Sequence, residues 1–351
     1  MASYAIATIP GDGIGLEVTP AATAVLDAAA ASHGFELSYT EHPWGCDFYA
    51  DTGRMAPEDY LDTLSRSDAI LLGAVGRPDV PDHISLWGLL IPIRRHFRQY
   101  VNLRPVKLWQ GVPSPLRAAT PEALDMVIVR ENNEGEYSEI GGRLHRGTEQ
   151  EFAVQETVFT RIGTDRVMAY AFEQAEARSK RICSATKSNG IIHTMPYWDE
   201  RFALARKKHP DVAAEQVLID ALCAMIVLTP GRFDVIVGSN LFGDILSDLA
   251  AAAAGSIGIA PSANLNPERE HPSMFEPVHG SAPDIAGQDL ANPVGAVWSA
   301  AMMLEHLGEQ AAADAIMAAI GATLADAGTR TRDLGGSAST SQVTEALIAR
   351  V

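Results

Sequence analysis

Short apolar runs alternate with helical patterns along most of the chain. The runs are YAIAT, DAILLGAV, DMVIVREN, RICSATK and FDVIVGSN, and the helical patterns cover residues 16–32, 57–66, 165–178 and 241–253. Strands interleaved with helices are typical of α/β proteins whose sheet is largely parallel. The pattern therefore predicts an α/β fold with a parallel or mixed sheet.

Two regions follow other patterns. Residues 146–161, RGTEQEFAVQETVFTR, are rich in β-branched and aromatic side chains with no helix signal directly after them, which predicts a projecting strand or arm. From Asn292 onward the pattern predicts two Ala-rich helices, a turn at Gly335 and Gly336, and a final helix. Gly255 closes the run AAAAAG and is expected to cap the helix before it.

The first apolar run ends in IPGDGIG, residues 9–15. The dinucleotide-binding fingerprint G-x-G-x-x-G has its third glycine one residue later, where this chain has Leu16. A P-loop requires a Lys-Ser or Lys-Thr pair after its last glycine, and this sequence has neither there. On local evidence a ligand-binding loop and a plain strand-to-helix turn remain equally open.

Composition and charge limit the classes of partner. The 351 residues are enough to bury a substantial core. Because 44 acidic residues face 27 basic ones, the formal charge is −17, which argues against nucleic acid or an anionic membrane surface as a partner. No apolar run reaches the roughly 18 residues of a membrane span, and the first residues lack a signal-peptide pattern, so a cytoplasmic location is expected.

The three cysteines, Cys46, Cys183 and Cys223, are widely separated and form no C-x-x-C pair. An odd number of separated cysteines argues against a zinc site or a disulfide framework. We expect them to be buried thiols in a reducing compartment.

Two carboxylates, Asp244 and Asp248, are four residues apart on a predicted helix, so both project from the same face. Like charges so close raise each other's pKa unless a positive charge lies between them. A solvated acidic face is the common explanation of such pairs. Here Ile245, Leu246 and Leu249 flank them, which favours a site for Mg²⁺ or Mn²⁺.

Other residues with suitable chemistry lie at the ends of apolar runs. Arg94, Arg104 and Arg130 have such positions, and their convergence would form a clamp for carboxylates, although single arginines there usually cover apolar surface. Tyr137 and Lys187 titrate near pH 10 in water, so an acid or base role requires help from their surroundings. Together the set suggests a metal-assisted enzyme acting on a small polycarboxylate.

Six motifs resemble, in order and over essentially the whole chain, those of the β-decarboxylating dehydrogenases, the isocitrate/isopropylmalate dehydrogenase family. They are IPGDGIG, NLRPV, VRENNEGEY, ATKSNG, SNLFGDILSD and FEPVHGSAPDIAGQDLANP. Three further segments, VPDHISLWG, MPYWDERF and APSANLNPER, are similar to the tartrate and D-malate dehydrogenase branch.

This resemblance implies a two-domain fold that is not a Rossmann fold. Residues 1–98 and 256–351 would form a larger, discontinuous domain with the cofactor loop, and residues 99–255 a smaller domain with the arm, the dimer interface and the metal-binding aspartates. It also implies a homodimer whose two active sites each use residues of both chains. The IPGDGIG turn would then border the cofactor cleft, with Asp12 either holding the turn or facing the site.

The resemblance also assigns roles to matching positions. Tyr137 would be the catalytic acid, and Lys187 of the second chain the catalytic base. The substrate would contact Arg94, Arg104, Arg130 and Leu90. Asp244 and Asp248, with Asp220 of the second chain, would hold the metal ion. NAD would bind at His279, Gly280, Ser281, Ala282, Asp284, Ile285 and Asn292. The carboxylate of Asp284 would accept hydrogen bonds from ribose hydroxyls and repel a 2′-phosphate, which favours NAD over NADP.

The implied reaction oxidises a 2-hydroxy dicarboxylic acid and releases CO₂, with D-malate (giving pyruvate) or tartrate as the first candidates. The segment LWGLLIPIR departs from the pattern LWGSLLKFR of that branch. Leu89 and Pro92 are expected to make the substrate wall more apolar and to kink the helix, which leaves 3-isopropylmalate as an alternative. A non-catalytic metabolite-binding homologue is a second alternative, whereas phosphoryl transfer lacks its P-loop lysine.

Overall fold

The protein is described here by a computed structural model that covers residues 2–117 and 119–351. Its strands are β1 (Ser3–Gly11), β2 (Glu36–Glu41), β3 (Ala69–Ala74), β4 (Val101–Lys107), β5 (Asp125–Glu131), β6 (Gly141–Leu144), β7 (Phe152–Gln155), β8 (Arg181–Thr186), β9 (Ala213–Leu218), β10 (Val235–Gly238), β11 (Pro261–Leu265) and β12 (Ser273–Pro277). Its helices are α1 (Gly15–His33), α2 (Cys46–Thr52), α3 (Tyr60–Leu64), α4 (Asp82–Ser85), α5 (Ile91–His96), α6 (Arg161–Ala177), α7 (Thr194–Arg206), α8 (Ile219–Leu228), α9 (Asn240–Ala253), α10 (Val294–Leu307), α11 (Gln310–Ala325) and α12 (Thr340–Ile348).

One ten-stranded sheet organises the molecule, with the strand order β2-β1-β3-β12-β11-β4-β5-β10-β8-β9. The pairs β12–β11, β11–β4 and β4–β5 are antiparallel, and the other neighbouring pairs are parallel. The predicted α/β fold with a mixed sheet is therefore confirmed. The sheet continues from β11 to β4, across the expected domain boundary, and the division into two domains stays a prediction.

The apolar runs form the buried centre of the sheet because helices cover both faces. Every residue of β3 and β10 is buried, and α1 packs against α10, α11 and α12. Near the other end of the sheet, α6 and α7 enclose the aromatic side chains of Phe172, Trp198 and Phe202. Within the described residues, no helix is both long enough and apolar enough to cross a membrane.

The predicted arm is a two-stranded antiparallel hairpin, β6 with β7, outside the main sheet. It begins earlier than residue 146, because Gly141 pairs with Gln155 and Leu144 pairs with Phe152. All eight strand residues are exposed, and Leu144, Phe152 and Val154 expose 41–49% of their surface. Since side chains alternate along a strand, these three lie on one face of the hairpin.

Some boundaries differ from the sequence prediction. Only Tyr60–Leu64 of the predicted helix 57–66 is helical. Helix α6 begins at Arg161, four residues before the prediction, because the Thr160 hydroxyl caps it by accepting a bond from the Gly163 amide at 3.0 Å. Leu86–Leu90 form one π-helical turn that joins α4 to α5 without a break, and Pro92 directly follows it, so this proline lies inside a continuous helical stretch and has no N–H to donate.

The cysteines are free thiols, as expected. Cys46 and Cys183 are buried, and burial raises the pKa of each to about 12. Cys223 is half-buried. Thiols with raised pKa values hold little thiolate at neutral pH, which fits a packing role.

Candidate active site

Two arginines of the sheet converge on the acidic face of α9. Arg104 on β4 and Arg130 on β5 are two positions apart in the antiparallel register, so their side chains leave the same face. The Arg130 guanidinium donates to Asp244, and Arg104 Nη1 lies 3.2 Å from Asp244 Oδ1 and 3.4 Å from Asp248 Oδ1. The expected convergence of arginines is therefore present for this pair.

The charges around Asp244 set its protonation state. Burial by itself raises the pKa of this carboxyl, but Arg130 and Arg104 outweigh burial and hold the pKa below its usual value. Asp248 differs, because burial and the charge of Asp244 raise its pKa against the opposing effect of Arg104. Burial and the neighbouring Arg104 lower the pKa of Arg130. The cluster thus holds one firmly ionised carboxylate beneath two arginines.

The third arginine, Arg94, lies near the end of α5 and is buried. Its Nη2 donates to Glu276 Oε1 at 2.8 Å, and its Nε is buried without a hydrogen-bond partner in the described part of the chain. Its charge also contributes to lowering the pKa of Asp244, so all three arginines act on one region. Sequence spacing did not predict the pairing with Glu276, which lies 182 residues away.

The wall beside Arg94 corrects one expectation. Leu89 is fully buried among core residues that include Met55 and Phe97, so its side chain does not border a ligand. Leu90 is half-buried, and of the two leucines it is the one with exposed surface. The expectation came from the position of Leu89 in the motif, whereas in the structure the π-helical turn of Leu86–Leu90 places Leu89 on the buried side.

Tyr137 lies in the loop after β5 and completes the cluster. Its hydroxyl donates to Asp244 Oδ2 at 2.7 Å, and the Arg130 guanidinium lies over its ring, 5.5 Å from the centroid. Burial and the charge of Asp244 raise the pKa of Tyr137 to about 12. The phenol therefore keeps its proton at neutral pH, as a general acid must.

Glutamates that the sequence reasoning did not single out hold this loop. The Glu131 carboxylate accepts bonds from the Asn133 and Glu134 amides, the shorter of which is 2.8 Å. Glu134 in turn accepts the Thr160 amide at 2.9 Å, just before α6. Burial raises the pKa of Glu131 to about 7. These bonds thus connect the loop backbone to Glu131 at the end of β5 and to the start of α6.

Glu136, next to Tyr137, binds the start of α9. It accepts the Ser239 hydroxyl at 2.7 Å and the Leu241 amide at 3.0 Å, at the positive end of the helix that carries Asp244. Asn240 Oδ1 accepts Nε and Nη2 of Arg130 at 3.1 and 2.7 Å. The Ser239-Asn240 pair before an apolar helix is a capping signal that sequence reasoning could have used.

Lys187 and Asp220 form a second, separate pair. Lys187 Nζ donates to Asp220 Oδ1 at 2.7 Å, and this bond lowers the pKa of Asp220. Both side chains are partly exposed, by 30% and 66%. Within residues 2–117 and 119–351, no three acidic, histidine or cysteine side chains are grouped closely enough to hold a metal ion. Asp220 therefore does not join Asp244 and Asp248 within one chain.

The predicted NAD loop runs between β12 and α10. The His279 Nε2 atom is buried without a hydrogen-bond partner among the described residues, and burial lowers the pKa of His279. Asp284 is exposed, and Ala282 has a positive φ of 38°. Asn292 lies just before α10, and its Oδ1 accepts the amide of Val294, the first residue of the helix, at 3.0 Å. The other predicted residues, Gly280, Ser281 and Ile285, lie on the same loop.

The IPGDGIG turn lies against this loop. The Ile14 amide donates to the Ser281 carbonyl at 2.8 Å, and a Cβ on Gly13, whose φ is +56°, would meet that carbonyl oxygen at 2.0 Å. Asp12 holds the turn, since its two oxygens accept the Cys46 and Gly76 amides, each at 2.8 Å. Of the two alternatives for Asp12, the structure shows the first.

The chain belongs to the isocitrate/isopropylmalate dehydrogenase family, whose pattern matches residues 5–347. It is 55% identical to the D-malate dehydrogenase (decarboxylating) of Escherichia coli K12, across 99% of this chain and 98% of that one. It is 54% identical to the tartrate dehydrogenase/decarboxylase of Pseudomonas putida, across 98% and 97% of the two chains.

Solved structures agree with this placement. The isocitrate dehydrogenase of Methylococcus capsulatus is 34% identical and matches the fold with a TM-score of 0.90, covering 99% of both chains. The resemblance to the β-decarboxylating dehydrogenases is therefore confirmed, as is the expectation that the chain is an enzyme of this dehydrogenase type.

Proposed function

We propose that this protein catalyses the NAD- and divalent-metal-dependent oxidative decarboxylation of a 2-hydroxy dicarboxylic acid, with D-malate and tartrate as the preferred candidates. One observation carries the proposal: buried Arg104 and Arg130 meet Asp244 beside the protonated phenol of Tyr137. Guanidinium groups bind carboxylates in pairs, and a neutral phenol can donate a proton. The similarity to a D-malate dehydrogenase and a tartrate dehydrogenase supports this substrate class.

The residues fit a hard divalent cation such as Mg²⁺ or Mn²⁺. Asp244 and Asp248 offer carboxylate oxygens one helical turn apart, which such cations prefer. The Asp248 side chain is 56% exposed, and its contact with Arg104 is long, at 3.4 Å. Because Asp220 is remote from this pair within one chain, the proposed third ligand comes from the Asp220 of a second chain.

The loop of residues 279–285 fits a dinucleotide. The unpartnered His279 Nε2 is a buried polar atom that a ligand would satisfy. The exposed Asp284 carboxylate can accept ribose hydroxyls and would repel a 2′-phosphate, which favours NAD over NADP. The Ser281 carbonyl already accepts a hydrogen bond from the Ile14 amide, so the dinucleotide would contact other polar groups of the loop.

A homodimer with shared sites accounts for two otherwise separate features. The Lys187–Asp220 pair is partly exposed and lies apart from the carboxylates it would complete. Apolar side chains are exposed on the hairpin and on two helices, namely Leu144, Phe152, Val154, Val227, Leu228 and Ile245. Leu144, Phe152 and Val154 share one face of the hairpin, and an exposed apolar face of this kind is typical of a protein interface.

The chain's own residues then account for binding and proton transfer. Arg94, Arg104 and Arg130 bind the substrate carboxylates in exchange for their present partners, Asp244 and Glu276. Lys187 of the second chain takes the proton of the 2-hydroxyl group. NAD held by the loop of residues 279–285 would supply a hydride acceptor for C2, and a metal ion held by Asp244 and Asp248 would supply a Lewis acid for the C2 oxygen. After CO₂ leaves, Tyr137 donates its proton to the carbon that carried the carboxylate.

A substrate panel tests this function. D-malate, L- and meso-tartrate, isocitrate and 3-isopropylmalate are assayed with NAD⁺ and Mn²⁺ under identical conditions, with EDTA and metal add-back. We expect NADH formation with D-malate or tartrate that EDTA abolishes and Mn²⁺ restores. Turnover of 3-isopropylmalate alone would assign the alkylmalate alternative. No turnover of any substrate would favour a non-catalytic metabolite-binding protein.

A further inference from the structure

Residues 12–17, which follow β1, hold the loop of residues 279–289 at two points. At the first, the Ile14 amide bonds the Ser281 carbonyl, and Gly13 allows the backbones to approach closely. At the second, the Glu17 carboxylate accepts the Gly287 amide at 2.5 Å and the Asp289 amide at 3.1 Å. Nothing in the proposed chemistry uses Glu17, which lies outside the turn itself.

The loop has little structure of its own to fix its shape. Between residues 282 and 289 the Ile285 amide donates to the Ala282 carbonyl at 3.1 Å, the Gln288 amide to the Ile285 carbonyl at 3.3 Å, and the Gln288 side chain to the Asp284 carbonyl at 2.8 Å. Asp289 has a positive φ of 57°, which costs energy for a residue other than glycine. A segment with few internal bonds depends on outside contacts for its conformation.

Glu17 is well placed to supply that contact. It lies in the first turn of α1, whose neighbouring residues Val18, Ala21 and Ala22 are buried, so its backbone is fixed by packing. A carboxylate that accepts two main-chain amides forms charge-assisted bonds, which are about twice as strong as neutral ones. On the far side, the Thr340 amide donates to the Asp289 carbonyl at 3.0 Å, so the loop end is held between α1 and α12.

We propose that Glu17 is a positioning residue for the dinucleotide. Its carboxylate fixes Gly287 and Asp289, and through them the preceding residues Asp284 and Ile285 that face the adenosine end. Gln288 transmits the constraint, because its Nε2 donates to the Asp284 carbonyl at 2.8 Å. The inference rests on the proposed binding of NAD at this loop. Glu17 itself does not touch the cofactor.

The test compares Glu17→Ala and Glu17→Gln with Glu345→Gln. Glu345 is a matched control, since it is exposed and borders the same surface groove on α12. For Glu17→Ala we expect the KM for NAD⁺ to rise about tenfold, with kcat and the KM for the hydroxy acid within about twofold. Glu17→Gln keeps one acceptor oxygen, so its KM for NAD⁺ should lie between the values of the wild type and Glu17→Ala. Glu345→Gln should match the wild type.

Amide hydrogen exchange of residues 285–290, measured without ligands, provides a readout independent of activity. Glu17→Ala should speed exchange there and leave the loop of residues 131–137 unchanged. Unchanged exchange in Glu17→Ala, or an equal rise in KM for Glu345→Gln, would overturn the inference. A wild-type protein that fails to bind NAD⁺ would overturn the proposed function instead, while the exchange data would still decide whether Glu17 fixes the loop.

Discussion

Lys187 Nζ and Asp220 Oδ1 lie 2.7 Å apart, at the ends of β8 and β9 and away from the carboxylates of α9. Neighbouring parallel strands bring the pair together, because their carboxyl ends meet at one edge of the sheet. Each chain thus carries two separate sets of groups: a lysine with one carboxylate, and a tyrosine with two carboxylates and the arginines.

If two chains share each site, two inactive variants should complement each other. Lys187→Ala and Asp248→Ala homodimers should both lack activity. In a mixed dimer, one site carries both substitutions and the other carries neither. Co-refolding equal amounts should therefore restore about a quarter of wild-type NADH formation, assuming random pairing. Activity that stays at the level of the separate variants would show that each site is built from one chain.

Tyr137→Phe removes the proposed proton donor and the bond to Asp244 Oδ2. We expect pyruvate formation from D-malate to fall about 10²- to 10⁴-fold, the usual contribution of a general acid. Mn²⁺ affinity, measured by calorimetry, should change much less. Tyr49→Phe, at a half-buried tyrosine elsewhere, serves as the control. Full pyruvate formation by Tyr137→Phe would refute the acid assignment.

Glu131 makes stability depend on pH. Because its pKa is raised from 4.5 to about 7, chiefly by burial, the folded state keeps a proton that the unfolded state releases. The stabilisation is complete below pH 4.5 and is lost as the pH rises to 7. As the pH rises from 5.5 to 8, the titration of this carboxyl should therefore lower the free energy of unfolding by about 2 kcal/mol.

Urea unfolding of Glu131→Gln at these two pH values checks this prediction. The variant cannot ionise, so its stability relative to the wild type should rise with pH. The control is Glu156→Gln, at an exposed glutamate, which should follow the wild type. Parallel pH curves for wild type and Glu131→Gln would mean that Glu131 does not titrate in this range.

The sequence predicted the features that depend on local order. The alternating strands and helices, the helical spacing of Asp244 and Asp248, and the arm follow from patterns within about 20 residues. Contacts that depend on the tertiary fold could not be predicted from such local patterns. Glu276 meets Arg94 only because β12 and α5 pack together, and Glu136 reaches the start of α9 across 103 residues.

One local feature, the burial of Leu89, could not be predicted from the sequence either. A π-helical turn at Leu86–Leu90 buries Leu89, and regular helical spacing gives no sign of such a turn. The glutamates of ENNEGEY look like a solvated acidic run. Only the fold shows that their carboxylates accept backbone amides that would otherwise lack partners.

The exposed face of the arm should hold the dimer together. Leu144, Phe152 and Val154 share that face, and burying them against a second chain would yield about 25 cal/mol per Å² of apolar surface. Phe152→Asp places a charge in this surface, and we expect sedimentation to show monomers with little dehydrogenase activity. Ala153→Asp introduces the same charge on the opposite face of β7, beside Arg143, and should remain dimeric and active. If Phe152→Asp stays dimeric and active, the arm is not part of the interface.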